Sequence, residues 1–334
     1  MINMSDLLAK KPAGLFCIPG NFYIDPIDSV KRAVITHAHN DHARSGHENV
    51  LATPETIAIM QLRHGKNQST RWQVLPYQVP LNINEVKLIL IPAGHILGSS
   101  QVVIEYLDKR LIISGDYKRS YDPTCVSFEV MECDFFVTEA TFGLPIFKHP
   151  PVQEEIKKLL ESLHQFPACH LIGVYPLGKC QRVIKTLRLL AYADPIYLHG
   201  SLINLCQLYE HQGVQLGEVK TALSLDRKTA SRKIVLCPPN ELNSKWTRRF
   251  GEIIKANASG WMRIRARAKQ KNVELPLVIS DHADWFELLQ TIDEVKAEEI
   301  WVTHGFEDAL IYTLRHKGYK IKGLGMMEHE NSED

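Results

Sequence analysis

Between residues 22 and 140 the apolar positions come in short β-branched runs. Ala33-Val34-Ile35-Thr36, Val86 to Ile91, Gln101 to Tyr106, Leu111 to Ser114 and Phe135 to Thr138 are each followed within two residues by Gly, Pro, His, Asp or Glu. This pattern predicts strands that carry a polar residue at the tip. From about residue 150 the texture changes: Ile156, Leu159, Leu160, Leu163 and Phe166 recur at the spacing of one helix face. Strands are then expected at Leu171 to Tyr175, Pro195 to Gly200 and Lys233 to Pro239, with helices at Gln181 to Ala191 and Leu202 to His211. After about residue 274 the strand-tip pattern returns in LPLVISDHADW and EEIWVTHGF, each followed by a helical stretch, Phe286 to Val295 and Asp308 to Lys317. A texture that stops and resumes predicts one domain, 1–148 and 273–325, interrupted by an α/β insertion at 149–272. The last residues, 326–334, read as an acidic tail.

Composition narrows the class without naming a substrate. The 334 residues are 45% apolar, with 39 Lys and Arg against 38 Asp and Glu, a net charge of 39 − 38 = +1. Nineteen Gly and 17 Pro are ordinary for a folded enzyme and exclude disordered and collagen-like chains. MINMSDLLAKKPAG lacks the apolar core of a secretion signal, and no window reaches the roughly 18 apolar residues that span a bilayer. A soluble protein with no membrane partner is expected. The seven cysteines are scattered, odd in number and free of any CxxC pair, which predicts reduced thiols in a cytoplasmic setting and no cysteine zinc site.

The densest chemistry is His37-Ala-His39-Asn-Asp41-His42, directly after the strand that ends at Thr36. Side chains alternate in an extended segment, so His37 and His39 point the same way and can share one ion, while the following turn offers Asp41 and His42 to a second. His95, Asp116 and His304 each follow an apolar run that would anchor them. Together these residues are five histidines and two aspartates, enough for two divalent ions with Asp116 bridging. Asp25, at the end of FYID, is expected behind the ligands, orienting one of them. Imidazole-rich ligation favours zinc, with manganese as the second candidate.

H-x-H-x-D-H, a distant G-H, then S-G-D and a late H-G, in that order, resemble the metallo-β-lactamase fold. That resemblance implies an αββα sandwich with a dinuclear site at its sheet edges. Thr138-Glu139-Ala140-Thr141-Phe142-Gly143 and Ser280-Asp281-His282-Ala283-Asp284 are similar to two elements of the β-CASP nucleases, and the insertion falls where those enzymes carry their cap domain. The resemblance is strongest to the bacterial DNA ligase-associated exonucleases. It rests on PGNFYIDP, THAHNDHARSGH, PAGHILGSSQV, SGDYKRSYDPTC with TEATFGLP, and ASGWM followed by SDHADW. It implies processing of DNA ends in repair beside a DNA ligase and a helicase. It also implies a nucleophilic water near Asp116, with Asp41 among the catalytic ligands, His282 as general acid for the leaving oxygen, and Glu139 holding the His282 imidazole.

A nuclease needs cations, and the net charge hides them. Glu241 to Lys271 holds nine basic residues against two acidic ones, a local net of 9 − 2 = +7. If extended, Arg263, Arg265 and Arg267 would present one face to phosphates, with Trp261 available to stack on a base. Lys118 and Arg119, just after Asp116, are further phosphate candidates. Lys179, in the turn Pro176 to Arg182, is another; that turn is too short for a P-loop. A metal-dependent DNA nuclease is the leading expectation. An RNA-processing nuclease of the same type and a non-catalytic nucleic-acid-binding subunit are the alternatives.

Overall fold

Alternation along the strands sets the layers. Val102, Ile104, Leu111, Ile113, Phe135 and Val137 share a core with Leu15, Phe22, Ile24, Val34 and Leu51. Their neighbours Val103, Ile112 and Phe136 turn the other way, onto Trp285, Ile292, Leu310 and Leu314. A sheet covered on both faces needs apolar residues at every position, which is why these runs are continuous and not alternating.

These are the faces of a seven-stranded sheet in a computed structural model that describes residues 2–65 and 69–325. Its order is Ile321–Gly323, Glu299–Gly305, Phe135–Ala140, Lys109–Ile113, Ser100–Tyr106, Val86–Pro92 and Leu81–Ile83. The opposing sheet has six strands in chain order, from Leu8–Lys11 to Arg71–Val74. The helices Trp285–Val295 and Glu307–His316 cover one outer face, and Pro54–His64 joins the last two strands of the six-stranded sheet. The arrangement is an αββα sandwich, and it forms one compact unit, up to Lys148 and again from His282.

The second unit, His149–Asp281, is built on a third sheet of six strands, all parallel, with the helices Val152–Gln165, Lys179–Leu189 and Gly200–His211. It is the α/β insertion, but it ends later than residue 272. Leu275–Leu277 pairs with Ile253–Ala258 in the third sheet, and the Val278 amide donates to Glu155 on Val152–Gln165, so the return to the sandwich falls at His282. The expected acidic tail, 326–334, lies outside the described residues.

Within the sandwich, three loops and a strand end converge. Residues 35–42 follow Arg32–Val34, 93–99 join two strands of the larger sheet, 114–120 follow Lys109–Ile113, and His304 lies in Glu299–Gly305. The Thr36 carbonyl accepts from both the amide and the hydroxyl of Ser100, locking the first loop to the larger sheet. Gly305, at φ 92°, is fixed by packing as well as backbone: a Cβ there would fall 2.2 Å from the Ala140 carbonyl.

Candidate metal centre

Asp116 is the hub. This buried carboxylate lies 3.5 Å from His37 Nε2, 3.3 Å from His42 Nε2, 3.9 Å from His95 Nε2, 3.9 Å from His282 Nδ1 and 2.9 Å from His304 Nε2. The rings of His37, His39 and His95 stand 4.7 to 4.9 Å apart at 84 to 86° to one another. Three mutually perpendicular imidazoles can turn their nitrogens to one point; His39 Nδ1 and His95 Nε2 are already 3.0 Å apart. His37, His39, His95 and Asp116 form one group of facing ligand atoms, and His42, Asp116 and His304 form another. Asp41 joins the second group's edge, 3.7 Å from His42 Nε2.

The donor set fits divalent ions. His37 Nε2 is buried with no hydrogen-bond partner among the described residues, as a nitrogen kept for a metal would be. Burial first, and then the neighbouring His42, push the His37 pKa well down, so this imidazole is neutral, the form that binds metals. Burial works the same way on His42 and His304. There Asp116 outweighs it, aided at His42 by Asp41, and both pKa values rise. Asp116 shows the converse: burial disfavours its charge, yet His42, His282 and the hydrogen bond from His304 hold it well below the usual carboxylate range. His37, His39, His95 and Asp116 would hold one ion, and Asp41, His42, Asp116 and His304 a second.

Proton counting fixes two tautomers. Asp25 accepts from the Thr36 amide at 2.7 Å and from the Thr36 hydroxyl at 2.5 Å. That hydroxyl has one proton, so at its 3.0 Å contact with His37 Nδ1 it must accept. His37 therefore carries its proton on Nδ1 and leaves Nε2 bare. His42 Nδ1 donates to the same Asp25 carboxylate at 2.8 Å, which turns its Nε2 to Asp116. Asp25 thus stands behind two imidazoles, one directly and one through Thr36.

His282 and Glu139 pair with each other and, with Asp116, make a further group of facing ligand atoms. His282 Nδ1 lies 3.0 Å from Glu139 Oε2, and the other Glu139 oxygen accepts the Tyr117 amide at 2.7 Å. The Ala283 amide donates to the Tyr117 carbonyl at 2.6 Å. One residue of the Asp116 loop therefore fixes both members of the pair.

The expected phosphate contacts need correction. Lys118 is buried and paired with Glu287 at 2.6 Å, and Arg119 reaches Glu294 at 2.7 Å, so both brace the helix Trp285–Val295. Lys179 is buried 3.6 Å from Asp281, which also meets Arg182; the anion at that turn is the chain's own. Arg263 ends a short 3-10 turn, and Arg265 and Arg267 open the helix Arg265–Gln270, so the three share no extended face. Arg267 lies over the Trp261 ring, 3.9 Å from its centroid. Two residues that matter went unnoticed in the sequence. Thr36 could have been found as the hydroxyl beside His37, and Glu287 as the end of the capping box that begins at Asp284.

Comparison with known proteins adds relatives to this geometry. The profile of the metallo-beta-lactamase superfamily matches residues 25–164. A "Probable DNA ligase" of Opitutus terrae is 27% identical over 93% of this chain, and "Endoribonuclease YSH1" of Gibberella zeae is 28% identical over 53%. The chain spans only 30% and 22% of those two relatives. A crystal structure of a protein of unknown function from Enterococcus faecalis V583 superimposes with a TM-score of 0.55 and 13% identity, covering 83% of this chain and 76% of that one.

Proposed function

We propose, because residues 25–164 match the profile of the metallo-beta-lactamase superfamily, that the chain is a metal-dependent phosphodiesterase acting on DNA, an exonuclease that processes DNA ends in repair alongside a DNA ligase and a helicase. The observation that carries this reading is the arrangement around Asp116: all five of its imidazole neighbours fall into groups of facing ligand atoms, and one of them, His282, is also held at Nδ1 by Glu139. Bound divalent ions supply charge neutralisation at the phosphate and activate water at neutral pH. The chain's own groups do the rest. Asp116 and Asp41 keep negative charge at the ligand groups, Asp25 fixes ring orientation, and His282 hands a proton to the leaving oxygen. Glu139 accepts the Nδ1 proton of His282 and stabilises its protonated form, so Nε2 is the atom that gives the proton away. Zinc suits this imidazole-rich set best, with manganese second. Seven thiols without a disulfide support a cytoplasmic setting, and no helix among the described residues is long and apolar enough to cross a membrane.

DNA is preferred over RNA because the relative named as a ligase aligns along nearly the whole chain. RNA is the second reading, favoured by the endoribonuclease that aligns over half of it. The test uses the purified chain under zinc and under manganese with 5′-labelled, 3′-labelled and circular DNA and a matched RNA strand. Stepwise loss from DNA ends is expected. Cutting of circles would remove the exonuclease claim, and faster loss of RNA would reverse the substrate. His282→Ala should keep its metal content and lose turnover by about 10² to 10⁴-fold; undiminished turnover would show that His282 is not the acid.

A further inference from the structure

Outside the metal centre, the sandwich holds a pocket of about 470 Å³ between the helix Pro54–His64 and the edge strand Arg71–Val74. Its floor is the buried set Val50, Met60, His47 and Thr70, its wall is the half-buried Trp72, and Arg44 lies exposed at the rim. Trp72 pairs with Val50 of the neighbouring parallel strand Asn49–Ala52, so an aromatic face and an aliphatic floor share one cavity. We propose that this pocket takes an unpaired nucleobase of the strand being cut, an inference that rests on the nucleic-acid reading above.

His47 gives the pocket its polarity. Its Nδ1 accepts the Val30 amide at 3.3 Å, so the proton of the neutral ring sits on Nε2. That Nε2 is buried and has no acceptor among the described residues. A buried donor without an acceptor is unfavourable, and a ligand offering one relieves it. The occupant that suits an aromatic wall, an aliphatic floor and one inner N–H is a flat ring with an acceptor on its edge, attached to an anion that can meet Arg44. A nucleotide has all three features. A free phosphate would leave Trp72, Val50 and Met60 unused.

The pocket is joined to the catalytic loop by backbone and by hydrogen bonds. Arg44 to His47 follow His42 in the chain. From the helix that forms the other wall, His64 Nε2 donates to the Ala43 carbonyl at 3.0 Å and Arg63 to the Ala38 carbonyl at 2.6 Å. A base seated here therefore belongs to a nucleotide close to the phosphate being cut, and occupancy would set the register of the strand.

The test is a scan of single-stranded DNA oligonucleotides in which one nucleotide at a time lacks its base, read as binding to the metal-free protein and as cleavage by the zinc- or manganese-loaded protein. In the wild type, loss of the base at one position near the cut should weaken binding about tenfold, as expected for one stacked base. Trp72→Ala should bind the intact strand about tenfold more weakly and lose that position dependence, and Trp72→Phe should restore most of both. Melting curves establish that each variant is folded. Unchanged binding and an unchanged scan in folded Trp72→Ala overturn the pocket. Failure of the nuclease reading looks different: no oligonucleotide is cut under either metal, and the binding scan still decides the pocket. If no oligonucleotide is bound, both readings fall.

Discussion

Thr36 has one hydroxyl proton and two polar neighbours, and that count constrains the metal centre. With the proton committed to Asp25, the oxygen can only accept from His37 Nδ1, and His37 Nε2 is held ready as a ligand. Thr36→Val keeps the shape, removes the hydroxyl and frees the ring to turn or to change tautomer. Losing a group behind a metal ligand costs about 10 to 100-fold in affinity. Competition with a chromogenic chelator should show that loss in Thr36→Val and its recovery in Thr36→Ser. Equal affinities in all three proteins would mean that Thr36 only packs, against the Gly115 that precedes Asp116. The raised pKa values of His42 and His304 set a pH dependence at the same scale. In the metal-free protein their protonated forms are favoured over the unfolded chain, so that stabilisation is complete below about pH 6.5 and fades as pH rises through the raised values. Metal binding runs the opposite way, because both rings must lose their protons first. Affinity should therefore climb with pH, by up to about a hundredfold per unit while two protons are displaced, and calorimetry in buffers of different ionisation heat should count those protons. A flat profile from pH 6 to 8 would contradict the assignment.

At the scale of elements, the helix Trp285–Val295 shows what a sequence reveals and what it hides. Its buried stripe, Trp285, Leu288, Thr291, Ile292 and Val295, follows helical spacing, and Asp284 caps it by accepting from the amides of Phe286 and Glu287. Both features are local, and the helix was legible in the chain to within one residue. Its link to the site was not, because Lys118 and Glu287 lie 169 residues apart and no local rule pairs them. The ligand motif at 37–42 was legible for the same reason as the helix. Arg265-Ala-Arg-Ala-Lys-Gln misled in the other direction: alternating arginines suggested an extended face, but every residue there is a strong helix former, and intrinsic preference prevailed. Glu287 accepts from Lys118 Nζ, the Ser120 amide and the Asp284 amide, so it ties the Asp116 loop to the helix that begins just after His282. Lys118 offsets the burial of that carboxylate and holds its pKa down. Lys118→Met would strand a buried charge and should cost about 3 kcal/mol, visible as a lower melting temperature in the metal-loaded protein. A phosphate-binding lysine would behave otherwise, with unchanged melting and weaker oligonucleotide binding.

At the scale of the whole molecule, charge and chemistry belong to different units. Every metal-ligand candidate lies in the sandwich, and the strip with a local net charge of +7 lies wholly within His149–Asp281. The net charge of +1 is therefore an average over parts with different tasks. Some of the strip is used internally: Arg249 donates to the Leu223 carbonyl, and Lys255 to Asn243. Arg263, Arg265, Arg267, Lys269 and Lys271 remain exposed. If these cations hold the polyanion, removing them changes capture and leaves the chemical step alone. Replacing Arg263, Arg265 and Arg267 together by Gln should weaken DNA binding most at low salt. The slope of log affinity against log salt should flatten by about 2 to 3, one counterion's share for each phosphate that is no longer neutralised. Metal content should stay at the wild-type value, and the single-turnover rate at saturating oligonucleotide should match it. A variant that binds normally but turns over slowly would place the arginines in the reaction. One that binds and cuts normally at every salt concentration would make the strip an ordinary solvated surface, leaving capture of the strand to groups on the sandwich itself.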